Sequence, residues 1–150
     1  MLRDQVLAVL APRRTVHAHC DIPCGIYDPH GAEIAARTVS KMVALMTEAA
    51  ATVGQGGQVE LEGRNKFVRC ATVKEEHAEL CKRELQILWS DYFKPEHVEK
   101  YPDLHDRFWK ALKQAGKCKQ SVDAAAAAEL EAQVAAIADI FWATKGGRPS

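Results

Sequence analysis

Within six residues the chain places a histidine and two cysteines, His19-Cys20-Asp21-Ile22-Pro23-Cys24. Thiolate and imidazole donors this close suit a transition metal. Pro23 between the cysteines and Gly25 after them favour a tight non-helical turn, since proline restricts the backbone and glycine permits unusual dihedrals. Such a turn can bring both sulfurs to one ion. Spacing alone leaves the chemistry open. His-Cys-x3-Cys can hold nickel or copper, it can hold zinc with His17 as a fourth ligand, it can be a redox dithiol, or its cysteines can be plain thiols.

The segment before it, Met1 to Ala18, bears on which of these is available. It carries a short apolar stretch, Val6 to Leu10, and ends Val16-His17-Ala18, which resembles an A-x-A cleavage site. A secretory signal would place positive charge before the apolar run. Here Arg13-Arg14 follow it, and Arg3 is offset by Asp4. The expectation is a propeptide, residues 1–18, cut between Ala18 and His19, with the functional domain at 19–150.

The 150 residues fit one domain. Lys plus Arg balance Asp plus Glu at 20 each, which gives no electrostatic reason to expect nucleic acid or an anionic membrane as a partner. No apolar run reaches the roughly 20 residues that cross a bilayer. Five cysteines argue against a closed disulfide framework. Cys70, Cys81 and Cys118 read as buried free thiols, which points to the cytoplasm.

From Tyr27 onward the pattern is helical. Asp28-Pro29 supplies a cap and a first-turn proline. A first helix is expected to about Val53, burying Ile34, Thr38, Met42, Leu45 and Ala49. Gly54 to Gly57 should stop it. A second is expected over Asn65 to Phe93, burying Phe67, Val73, Leu80, Ile87 and Leu88, with Lys94-Pro95 as its end. Tyr101-Pro102-Asp103 should open a third, with Leu104, Phe108 and Leu112 inward and a stop near Gly116. Ser121 or Asp123 should cap a fourth, running to about Lys145 with Ile137, Ile140, Phe141 and Trp142 on an apolar face. Four amphipathic helices with short loops predict an all-α, antiparallel four-helix bundle carrying an N-terminal hook.

Residues 19–28, HCDIPCGIYD, resemble the N-terminal hook of nickel-containing superoxide dismutases almost residue for residue. Leu88 to Pro95, continuing from His97 to His105, resembles that family's second-to-third helix segment, and Ile140 to Lys145 its C-terminal end. The resemblance implies an enzyme that converts superoxide to dioxygen and hydrogen peroxide with nickel as cofactor. It implies metal ligation by the α-amine and imidazole of His19, the amide nitrogen of Cys20 and the thiolates of Cys20 and Cys24. Two thiolates and an anionic amide would donate enough electron density to make nickel(III) accessible. Tyr27 would stand near the open metal face and Asp21 would organise the hook. A homohexamer and a maturation protease are implied as partners. While Ala18 is attached, His19 has no free amine, so cleavage would create a ligand.

The family pattern breaks in one place. A glutamate and an arginine hold the hook imidazole in familiar members. Their positions fall here on Ala35 and His77, the second across a one-residue gap. His77 is therefore expected beside the hook, whereas His97 and His105 are expected to bond locally and His30 to be solvated. Aromatic residues such as Trp89, Tyr92, Phe93 and Trp109 are candidates for burial between subunits. The competing functions are a non-catalytic metal carrier and a zinc-stabilised helical module that keeps its leader.

Overall fold

A computed structural model describes residues 25–51 and 61–148. Among these residues there is no strand, and the order is α1 (His30–Ala51), α2 (Leu61–Ile87), a π-helical turn (Leu88–Tyr92), α3 (Pro95–Lys100), α4 (Leu104–Gln120) and α5 (Ala124–Thr144). The long helices pack as a closed ring, α1 on α2, α2 on α4, α4 on α5 and α5 on α1. That ring, with its short connections, is the expected antiparallel four-helix bundle. No helix among the described residues is long and apolar enough to cross a membrane.

The helix starts follow local chemistry. Asp28 Oδ1 accepts the His30 backbone N–H at 2.7 Å, and the Pro29 carbonyl accepts from Glu33 at 3.0 Å. Asp123, not Ser121, caps α5 by accepting the Ala126 N–H at 3.0 Å. That bond is the main reason its carboxyl sits below the ordinary range. At the far end of α5, Gly147 takes a positive φ of 127° and its N–H bonds the Trp142 carbonyl at 2.8 Å.

The core runs through Leu85, Leu104, Phe108, Leu130, Ile137 and Phe141, each at most 1% exposed. Full burial of such a side chain stabilises by roughly 1.5–3 kcal/mol. Leu104, Phe108, Ile137, Ile140 and Phe141 are buried as the sequence predicts, with Leu112 and Trp142 packed partly against them. The stripes expected on the first two helices are corrected. α1 buries Ala32, Ala35, Ala36, Val39, Val43 and Met46 and shares only Ala49 with the expected set, while Ile34 is 45% exposed. α2 buries Cys70, Lys74, Ala78, Cys81 and Leu85. Of its expected residues only Leu88 is buried, and Leu80 is 41% exposed. Small side chains face the α1–α2 contact and let the helices approach closely, so the larger apolar residues lie on its flank.

Two boundaries also move. α2 already includes Leu61, ahead of the expected Asn65, and α4 runs through Gly116 to Gln120. A Cβ at Gly116 would meet nothing closer than Lys82 Nζ at 3.8 Å. A lone glycine costs a helix about 1 kcal/mol, and the buried Ala115 and Cys118 hold the last turn in place.

Lys74 is the buried charge that the sequence pattern conceals. It is 3% exposed. The pairing of Glu79 with Lys119 (3.0 Å) and the approach of Lys82 to Gly116 set the α2–α4 register and place Lys74 just past the end of α4. There its Nζ donates to the carbonyls of Cys118 and Lys119, both at 2.7 Å. A helix C-terminus leaves such carbonyls without intrahelical partners, and a cation there is favoured by the helix dipole. Phe67 and Val68 lie beyond the reach of α4 on α2 and are exposed for that reason.

Candidate metal centre

His19, Cys20, Asp21 and Cys24, together with the Ala18–His19 junction and His17, lie outside the described residues. Among the described residues no three His, Cys, Asp or Glu side chains are grouped to hold a metal ion. Cys70, Cys81 and Cys118 are free and buried. Burial pushes the Cys81 thiol up to about 12, and the charges near Cys118 and Glu84 add to the effect. A thiol so disposed resists ionisation and is a poor metal ligand or nucleophile.

The surroundings from which the hook departs are well defined. Gly25 holds a φ of +70°, a left-handed conformation that suits the residue after Cys24. Tyr27 is half-buried, with its ring 5.7 Å from that of Tyr92. Tyr92 closes the π-helical turn and sits at the centre of an aromatic group. Its ring lies 4.4 Å from Phe141, 5.1 Å from Phe93 and 5.6 Å from His97, which stacks on it. Lys145 Nζ stands 5.2 Å from the Tyr92 ring centre. Thr144 donates its hydroxyl proton to the Phe141 carbonyl at 2.6 Å. Its oxygen therefore accepts from the Tyr92 hydroxyl at 2.5 Å. Tyr92 thus fixes the platform on which Tyr27 rests. The sequence offers Tyr92 only as a candidate for burial between subunits. The signal was the helix-to-turn change just before Pro95, since π-helical turns recur at functional sites.

The histidines separate by environment. His97 Nδ1 accepts the Lys94 N–H at 3.1 Å, and the His105 ring packs 5.3 Å from Trp89. Both bond or pack locally, as expected, and His30 is exposed. His77 is part-buried, with Nδ1 2.9 Å from the Val73 carbonyl one turn back. Because a carbonyl only accepts, that nitrogen carries the proton, and the ring's other nitrogen is the acceptor in the neutral form. Ala35 is fully buried and offers no polar atom. Of the four aromatic residues considered for subunit contacts, Phe93 is buried, Trp89 and Tyr92 pack partly against the core, and Trp109 is 54% exposed.

Comparison with known proteins agrees with this arrangement along nearly the whole chain. The family model described as nickel-containing superoxide dismutase matches residues 14–145. The chain is 41% identical over 137 residues to a nickel superoxide dismutase of Streptomyces seoulensis, covering 91% of this chain and 95% of the relative. It is 41% identical over 140 residues to that of Streptomyces coelicolor, with the same coverage. A native nickel superoxide dismutase structure superposes with a TM-score of 0.70 at 40% identity, covering 86% of this chain and all of the other. The chain belongs to the nickel-containing superoxide dismutase family.

Proposed function

We infer that the chain matures by loss of residues 1–18 into an enzyme that dismutes superoxide at a nickel ion held by its new N-terminus. The observation that carries this reading is the complete donor set His19-Cys20-Asp21-Ile22-Pro23-Cys24, set directly before the Tyr27–Tyr92 platform. Family membership supports it across the bundle.

The donor set fits nickel. Thiolates of Cys20 and Cys24 supply soft, electron-rich sulfur, and the His19 amine and imidazole with the Cys20 amide supply nitrogen. Nickel, when bound, supplies a one-electron couple that superoxide can both reduce and re-oxidise, two superoxide ions and two protons giving one dioxygen and one hydrogen peroxide. The remaining work falls to the chain. The amine of His19 exists only once the Ala18 peptide bond is cut. It has an ordinary pKa of about 7.7–8.0, so its proton must leave as the metal enters. Asp21 would organise the hook by accepting nearby backbone N–H groups. Tyr27, backed by Tyr92, would use its hydroxyl to position the small anion or solvent. His77, whose Nδ1 bonds the Val73 carbonyl, would offer its other ring nitrogen as an acceptor beside the hook. A homohexamer and a maturation protease in the cytoplasm complete the reading.

Mass spectrometry of the native protein tests the processing step. A chain starting at His19 supports it and excludes a four-ligand zinc site with His17. A chain that retains His17 and binds zinc would favour the structural module.

A further inference from the structure

One side of α2 runs past the end of its neighbour in the bundle. Glu79 pairs with Lys119 at 3.0 Å, and Lys82 lies beside Gly116. One step forward on α2 is therefore one step back on α4, and the last residue of α4, Gln120, falls level with Ala78. Leu61 to Val73 have no α4 beside them. α1 still covers their other flank, where Lys66 pairs with Glu48 at 3.6 Å. The uncovered side is apolar at its middle, with Val68 61% and Phe67 36% exposed. An open groove of about 320 Å³ passes Phe67, Val68, Ala71 and Thr72 and ends at Glu75 and Glu76.

Charge is ordered along this side. Arg64, Lys66 and Arg69 precede its middle, Glu75, Glu76 and Glu79 follow it, and the change falls at Ala71 and Thr72. Lys66 and Glu79 are engaged within the subunit, with Glu48 and Lys119. Arg64, Val68, Thr72 and Glu75 share one outward stripe by their helical spacing. A helix that is basic in one half and acidic in the next is complementary to itself run in reverse. A partner of one sign would be attracted by one half and repelled by the other. A two-fold contact makes residue i meet j and j meet i, so every favourable pair occurs twice. We propose that this side of α2 seats the same side of a second copy, antiparallel across a two-fold axis at Ala71 and Thr72. Val68 then packs between the partner's Thr72 and the partner's Glu75. Arg64 faces the partner's Glu75, and Arg69 faces the partner's Glu76. The small side chains at the axis let the two helices approach. This contact rests on the reading of the chain as a homo-oligomer and supplies one of its surfaces.

The test is the subunit number of the nickel-loaded protein, read by light scattering over a dilution series. Three variants are compared with the unsubstituted chain: Val68→Asp, Arg64→Glu with Arg69→Glu, and those two reversals combined with Glu75→Arg and Glu76→Arg. The first two should weaken association roughly 10–100-fold, giving smaller species at concentrations where the unsubstituted chain stays assembled. The fourfold variant reverses every pair at once and should recover the assembly, which a loss of folding in the double variant would not permit. Unchanged subunit number in both Val68→Asp and the double variant would overturn the contact, as would a fourfold variant that stays apart. An unsubstituted chain that is monomeric throughout would overturn it too. Superoxide removal by the same samples reports separately on the enzymatic reading, and an active monomer would leave that reading standing.

Discussion

Where α4 stops, Lys74 gives its ammonium protons to the last carbonyls of the helix, and Asp123 caps the start of α5. Where α5 stops, Tyr92 and Thr144 satisfy one another while the buried Trp142 Nε1 has no partner among the described residues. Both ends close the same bundle. One uses its polar groups to seal helix termini, and the other gathers aromatic rings around Tyr92 and Tyr27. Unpaired buried polar groups cost stability, and Ser40 Oγ on α1 and Gln133 Oε1 on α5 share that cost with Trp142 Nε1.

Substitutions should therefore separate the two ends, some acting on metal binding and others on stability. Cys24→Ser should have the largest effect: nickel and superoxide removal are both lost, while the far-ultraviolet circular dichroism of the bundle is kept. Collapse of the fold in that variant would break the contrast. Lys74→Met should do the reverse, lowering unfolding free energy by about 1–3 kcal/mol with the nickel spectrum unchanged, as urea titration of the loaded protein would show. The same lysine carries a pH signature. Burial holds its pKa below the ordinary 10.5, so the unfolded chain binds the proton more tightly. The stability of the unsubstituted protein relative to Lys74→Met should thus rise with pH from the depressed value up to 10.5. Tyr92→Phe removes the hydroxyl bond to Thr144 but leaves the ring beneath Tyr27, and should cost about 0.5–1.5 kcal/mol in thermal unfolding. The smallest effect is a gain. Gly116→Ala has room for its Cβ and should stabilise α4 by roughly 0.5–1 kcal/mol.

Legibility in the sequence also divides the molecule. The inward faces of α4 and α5 are readable because large apolar residues, Leu104, Phe108, Ile137 and Phe141, are the ones buried. On α1 and α2 the same reasoning selects Ile34 and Leu80, which lie on the flank. The contact there is built from alanines, valines and cysteines, whose small size is the point of the packing but a weak signal in a periodicity count. Lys74 interrupts the buried face with a charge that only the end of α4 explains. The hook is legible as a donor set because ligand chemistry is local. Contacts between helices are not, since Gly31 and Glu84 meet only through the register of α1 and α2.

The central claim is that the metal site comes into being when Ala18 is removed. Its most direct measurement compares residues 1–150 with the chain beginning at His19, both produced with nickel, for bound metal and superoxide removal. The account predicts nickel and activity in the second form alone. Equal activity in the first, with the Ala18–His19 bond shown intact by mass, would contradict it.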